Sequence, residues 1–242
     1  MEHQNIETLE SKVKAIFSDK SLDIKSYDKK KIESGLKVIR DYSEDSYSHH
    51  LRVGLKTRIL IENSQMDYQL MRNIRTPRDR HAFKRLGFIA GLLHDIGKPK
   101  FPKGFFDRDL SPEEREVQKP HVLYSYDTVL KMGYHLAAEM ILRHHLFEKD
   151  PYPTSDEMPK FSIEQLRGEF EGQVTSTEII LRGAARYLSL ADHHDAWIYR
   201  NNAKNKNGWL TNDQIKDILK KEFPPLTDTI ETIYSKEMFK LL

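Results

Sequence analysis

Apolar positions recur at helical spacing along most of the chain. Near the N-terminus Ile6, Leu9, Val13, Ile16 and Phe17 form one stripe, and Ile32, Leu36 and Ile39 another, with Lys and Asp between them. This predicts two amphipathic helices within residues 5–40, separated by a polar break at Ser18–Asp28 and covering a core built mostly downstream. Ser46 or Ser48 is placed to cap a third helix through His49–Asn63. Residues 64–80 are polar and pass through Thr76-Pro77, which predicts a loop and makes this segment a candidate lid. The most apolar segment is Phe83–Ile96, where Phe88, Ile89, Ala90, Leu92 and Leu93 are nearly consecutive. A helix apolar on all sides is a buried one, and Gly97 and Pro99 should stop it.

Pro102–Leu110 reads as a loop, and Ser111-Pro112-Glu113-Glu114 as a helix start with Pro at its first position. Helices are expected over Pro120–Met132 and His135–Phe147, then a proline-rich loop over Asp150–Lys160. A long helix should follow over Thr177–Asn201, where Gly183, Ala184 and Ala185 let a neighbour approach closely. One or two more helices come after Asn212. With no alternating strand pattern, internal repeat or low-complexity tract, the expected class is all-α. The expected organisation is a compact helical bundle at 45–201, an N-terminal helical extension at 1–44 and a C-terminal helical segment at 202–242.

Composition narrows the chemistry. Of 242 residues, 38% are hydrophobic and 31% charged, the make-up of a globular chain with a modest core. The net charge of +2 is the balance of 39 basic and 37 acidic residues, so nothing demands a polyanionic partner, while a local basic patch would remain compatible with nucleic acid. There is no cysteine. Disulfides and thiolate-held zinc or iron–sulfur clusters are thereby excluded, and any metal must be held by His, Asp and Glu. Such ligands suit iron, manganese, zinc, nickel or magnesium. The N-terminal residues lack the basic start and apolar run of a signal peptide, and no stretch approaches the roughly 18 apolar residues of a membrane span. The expected location is the cytoplasm, with no membrane partner.

The candidate chemistry lies in His49, the pair His94-Asp95, His121, the pair His144-His145, and Asp192, each on or beside an expected helix. Burying an imidazole or a carboxylate without a partner is costly, and a shared cation accounts for several at once. Adjacent helical positions point about 100° apart, so spacing alone leaves open whether His144 and His145 both face one site. The order H…HD…H…HH…D resembles the signature of the HD superfamily, and Leu93-His94-Asp95-Ile96-Gly97-Lys98 resembles its central motif. The details are similar to the HD-GYP branch, whose members hydrolyse cyclic dinucleotides. His49-His50-Leu51-Arg52-Val53 resembles its H-x-x-R-V start, which makes His49 rather than His50 the first ligand. Lys119-Pro120-His121 resembles the third element, His144-His145 with Tyr152-Pro153 the HH…GYP element, and Ala191–Ala196 the closing D-x-x-D-A. The resemblance covers residues 45–200. Pro151 stands where that branch has glycine, no acid directly follows His145, and the gaps from His49 to His94 and from His145 to Asp192 are longer than usual. These departures bear on substrate identity and leave the ligand set intact.

The resemblance implies an all-helical, metal-dependent phosphohydrolase holding two divalent ions, iron or manganese first, with nickel, zinc or magnesium as other options. One ion would take His49, His94, Asp95 and Asp192; the other would take Asp95, His121, His144 and His145, with Asp95 bridging. Asp45, one turn before His49, is a candidate ligand for a third metal. Asp95 and Lys98 are the expected catalytic residues. Lys98 would also steady the substrate phosphate, with Arg200 and Tyr152 as further substrate contacts. His50, His193 and His194 read as supporting or surface residues, and Asp195 as orienting a ligand or capping a turn. The implied reaction is in-line attack of a metal-activated water on the phosphorus of a nucleotide or cyclic dinucleotide. Three other readings stay open: a nuclease acting on single-stranded DNA or RNA, a di-iron oxygenase, and a non-catalytic nucleotide-binding HD module. No feature of the pattern specifies an oligomeric state.

Overall fold

A computed structural model describes residues 6–19, 22, 24–63, 76–148, 150–160, 177–201 and 209–239. Among them are helices and turns and no strand, so the all-α expectation holds. The two N-terminal stripes become α1 (Ile6–Phe17) and α2 (Ser26–Tyr42), which bury Leu9, Val13, Ile16 and Phe17 and then Ile32, Leu36 and Ile39. The third helix, α3 (Glu44–Asn63), starts earlier than expected. Its first turn is held by Ser43, whose Oγ accepts from the Ser46 amide at 3.2 Å. Ser46 and Ser48 are already inside the helix, and only a residue just before the first turn can reach an amide three positions on.

Helix α4 (Pro77–Leu93) also begins early. Thr76 Oγ1 accepts from the Asp79 amide at 3.0 Å, with Pro77 at the first helical position. Residues 77–80, expected in the loop, are therefore helical; their polar side chains form a cap and first turn, which an apolar count passes over. Residues 64–75 of the candidate lid lie outside the described residues. At its other end α4 stops at Leu93 rather than Ile96. His94–Gly97 form a turn that leads into a short 3-10 helix at Lys98–Lys100.

Helices α3 and α4 meet backbone to backbone. A Cβ on Gly91 of α4 would lie 2.7 Å from Gly54 Cα and 3.0 Å from Gly54 N of α3. Two glycines therefore bring the helix that carries His49 against the helix that ends at His94. Around this pair lie α5 (Pro112–Gln118), α6 (His121–Lys131), α7 (His135–Leu142), α8 (Thr177–Asp195, continued by a π-helical turn Ala196–Asn201), α9 (Asn212–Glu222) and α10 (Thr227–Ser235). The expected start at Ser111 is a capping box with Glu114, worth about 1 kcal/mol. Helix α7 ends at Leu142 instead of Phe147, and residues 143–147 are turns. One buried apolar cluster runs from Leu9 and Leu36 through Phe83, Phe88, Met140 and Leu188 to Ile215 and Ile230. Each such side chain stabilises the fold by about 1.5–3 kcal/mol, and the polar centre described next is set into this cluster.

Candidate metal centre

Five elements deliver the polar groups. His49 comes from α3, His94 and Asp95 from the turn after α4, His121 from the start of α6, His144 and His145 from the turns after α7, and Asp192 from α8. Donor atoms of Asp95, His121, His144 and His145 all lie within 4.8 Å of one another, as do those of His49, His94 and Asp192. His50 brings a donor within the same distance of His94 and Asp95. The early end of α7 frees His144 and His145 from helical geometry, and their rings sit 3.8 Å apart, centre to centre. Gly97 allows the His94-Asp95 turn to lie on α6, since a Cβ there would meet the His121 carbonyl oxygen at 2.4 Å.

The hydrogen bonds settle which nitrogen is available. Nδ1 donates to the Gly91 carbonyl from His94 at 2.9 Å, to Gln118 from His121 at 2.8 Å, and to Ile141 from His144 at 2.6 Å. His49 Nδ1 donates to Asp195 Oδ2 at 2.8 Å. In the neutral imidazole each arrangement leaves a lone pair on Nε2. Those lone pairs converge on carboxylate oxygens and on each other. His49 Nε2 is 3.1 Å from Asp192 Oδ1 and 3.2 Å from His94 Nε2. His94 Nε2 is 3.3 Å from Asp95 Oδ2, and His121 Nε2 is 3.0 Å from Asp95 Oδ1.

Lone pair against lone pair is repulsive unless positive charge stands between them. Asp95 Oδ1, His121 Nε2 and His144 Nε2 are buried without a hydrogen-bond partner, a state that native structures rarely tolerate. These orphaned acceptors fit a divalent cation in both chemistry and placement. The electrostatics favour positive charge at this point: burial disfavours charge on His94, yet Asp95 and Asp192 push its pKa up to about 9, so without an ion a proton sits on Nε2 and a cation would take its place. Burial keeps His121 and His144 below the usual imidazole value. Burial would raise Asp95, but Lys98, His94 and His121 around it hold it well below the usual carboxylate range.

Behind His49 lies Asp195, fully buried. It accepts from His49, from Arg52 Nε at 2.9 Å and the terminal guanidinium nitrogen at 3.0 Å, and from Lys56 Nζ at 2.7 Å. Residues 49, 52 and 56 share one face of α3, a spacing that could have singled out Arg52 and Lys56 from the sequence. Lys56 is only 1% exposed, and burial lowers its pKa despite Asp195.

On the open side a cavity of about 380 Å³ is lined by Asp95, Lys98, Gln118, His121, His145, Tyr152 and Asp192. His193, Glu148, Ala196, Trp197 and Glu222 complete its wall. The Lys98 ammonium rests on the Asp95 carboxylate and lies 4.9 Å from the centre of the Phe106 ring. Tyr152 stacks on His145 with ring centres 4.5 Å apart. His145 Nδ1 is bonded to Glu148. His193 reaches Glu148 through Nε2 at 3.1 Å and Glu222 through Nδ1 at 3.0 Å. Burial disfavours its charge, but the two acids push its pKa up to about 10.

Not every expected residue joins this centre. Asp45 is exposed in the first turn of α3 and belongs to none of the donor groups found among the described residues. Arg200 lies in the π-helical turn, and its side chain is outside the described residues. His50 and His194 are buried rather than on the surface: His50 Nδ1 donates to the Leu92 carbonyl at 2.8 Å, and the His194 ring packs 4.7 Å from that of Phe239. Glu148 and Glu222 were not singled out in the sequence. An acid three positions after His145 was a usable signal for Glu148; Glu222, remote in the chain, gave none.

A family model described as HD domain matches residues 46–197. Among curated proteins and among solved structures, none matches the chain. No helix of the described residues is long and apolar enough to cross a membrane.

Proposed function

The chain belongs to the HD domain family, a superfamily of metal-dependent phosphohydrolases, and on that premise we propose that it hydrolyses a phosphodiester of a nucleotide or cyclic dinucleotide at a dinuclear centre. The observation that carries this reading is the convergence of the Nε2 atoms of His49, His94, His121 and His144 on Asp95 and Asp192. In it, His49, His94, Asp95 and Asp192 hold one ion, and Asp95, His121, His144 and His145 the other. Iron or manganese is the first choice by the family resemblance, and imidazole and carboxylate ligands would also suit zinc, nickel or magnesium. The ions would lower the pKa of a water and neutralise charge on the phosphoryl oxygens.

The protein's own groups do the rest. The Nδ1 hydrogen bonds to Gly91, Gln118, Ile141 and Asp195 hold the imidazoles in the ligating tautomer. Lys98, at the cavity wall beside Asp95, is placed to hold a phosphate oxygen. Tyr152 closes the cavity over His145.

The test is elemental mass spectrometry of full-length protein purified without chelator or air, followed by a hydrolysis screen of cyclic dinucleotides and single-stranded oligonucleotides. Two equivalents of metal, lost in His94→Ala and Asp95→Ala together with hydrolysis, are expected. A native chain that retains no metal and takes none up on reconstitution would remove the hydrolase reading and favour a nucleotide-binding module. One observation supports a second reading, a nuclease on single-stranded DNA or RNA. Lys100 and Lys103 are exposed next to Phe101, Phe105 and Phe106, and Phe101 stacks on Phe105 with centres 5.5 Å apart. Cations interleaved with aromatic rings suit an unpaired strand, and preference for oligonucleotides in the screen would select it.

A further inference from the structure

An imidazole that ligates through Nε2 needs an acceptor at Nδ1 to fix its tautomer and the plane of its ring. His94, His121 and His144 find one in a backbone carbonyl three residues earlier. His145 does not; its Nδ1 is bonded to Glu148, a side chain with its own freedom to move. Tyr152 stacks on its face, but the hydrogen bond that sets its tautomer is only as fixed as that carboxylate. Glu148 lies just after the turns that follow α7, with its side chain 25% exposed, and a partly exposed pair standing alone would hold the ring less firmly than a backbone carbonyl does.

The structure supplies further holds. His193 Nε2 contacts the same Glu148 oxygen at 3.1 Å, and its Nδ1 contacts Glu222 Oε2 at 3.0 Å. His193 thus bridges two carboxylates, one at each ring nitrogen. Glu222 is itself held by Trp197 Nε1 on Oε1 at 3.3 Å, and the Phe223 ring packs against His193 at 5.1 Å. The chain His145–Glu148–His193–Glu222 thus runs from the donor group at Asp95 to the last residue of α9. Glu222 lies outside the span matched by the HD domain, 46–197.

We infer that Glu222, acting through His193 and Glu148, is a positioning residue for His145, so that helix α9 sets the affinity of one of the two metal sites. The inference rests on the reading of His145 as a metal ligand. A competing account of the same atoms is a further cation seated on His145, Glu148 and His193, whose donors also lie within 4.8 Å of one another. In the structure both nitrogens already face Glu148, which satisfies the group without an ion.

Cobalt(II) titration of the metal-free full-length protein, followed by visible absorption and by stoichiometry, separates these cases. The parent should take up two ions. In Glu222→Ala one of the two should bind about tenfold more weakly, the scale found for lost outer partners of metal-bound histidines, with a shifted absorption band, while the other is unchanged. Glu222→Gln keeps an acceptor oxygen for His193 and should recover most of the loss. Glu231→Ala, which breaks the 2.5 Å contact of Lys220 between α9 and α10, should titrate like the parent. If Glu222→Ala does not fold, Glu148→Gln breaks the row one link nearer the ring and should show the same selective loss. A parent that binds two ions and a Glu222→Ala curve superimposable on it overturn this inference alone. Equal weakening of both sites, or a third ion lost with Glu148→Gln, also overturns it. A parent that binds no cobalt overturns the metal-ligand reading beneath it.

Discussion

Removing the Asp195 carboxylate tests how the fold sustains its buried charges. Asp195 is fully buried and faces two cations, Arg52 at 8% exposure and Lys56 at 1%. Asp195→Ala strands both. Lys56 has an escape, because burial already lowers its pKa and it can release its proton. Arg52 has none, since a guanidinium stays charged, and its remaining support is the Tyr199 ring 3.9 Å away, a contact worth about 2 kcal/mol when desolvated. Breaking a buried pair by removing one partner costs about 3–5 kcal/mol, and these two reliefs place the expected loss near the lower end, about 3 kcal/mol. At about 2–4 °C per kcal/mol for a chain of this size, the melting temperature should fall by about 6–12 °C. Lys56→Met is the contrast. It removes one cation and keeps the volume, leaving Asp195 with Arg52 and His49, so it should be close to neutral or stabilising. The double substitution should cost less than the two singles summed. Urea unfolding followed by far-ultraviolet circular dichroism on metal-free protein measures all three. An Asp195→Ala loss below about 1 kcal/mol, the size of an unremarkable substitution, would refute the claim that Asp195 compensates the two cations.

The other expectations concern the helix contact and the site. In Gly91→Ala, the new methyl would meet backbone atoms of Gly54, which cannot turn aside, so the overpacking cost should sit near the upper end, about 3 kcal/mol, and exceed the roughly 1 kcal/mol that alanine gains in a helix. A lower urea midpoint and weaker metal uptake are expected, and an unchanged midpoint would mean that α3 and α4 are not in backbone contact. Asp45→Ala, on an exposed side chain outside the donor groups, should leave metal stoichiometry as it is; loss of an equivalent would restore Asp45 as a ligand. Lys98→Met should lower phosphodiester hydrolysis about 10- to 150-fold, the rate equivalent of one charged hydrogen bond of about 1.5–3 kcal/mol, with metal content retained. Full activity would place the phosphate elsewhere.

The helices were legible because the apolar stripes of α1 and α2 and the continuous apolar run of α4 are the same signals that bury them. Their ends were less so. Ser43 and Thr76 act through one hydrogen bond each, and a polar first turn looks like a loop until the cap is seen. The end of α7 at Leu142 was the costliest to miss, because a helix through His144 and His145 would splay the two rings that the turns bring together. Order along the chain showed which His and Asp residues to gather, since that order repeats a family pattern.

Order along the chain could not show what stands behind each ligand. His49 meets Asp195 across 146 residues, and His193 meets Glu222 across 29. Such pairings are made by packing and leave no periodic trace. They nevertheless decide the chemistry, because an imidazole whose Nδ1 proton is pinned can only offer its lone pair at Nε2. His49, His94, His121 and His144 are each pinned in this way by a different part of the fold. The tautomers that the proposed metal centre requires are therefore a property of the packed helices as much as of the candidate ligands. It follows that substitutions behind the site, at Asp195 or Glu148, should reach metal affinity while leaving every ligand in place.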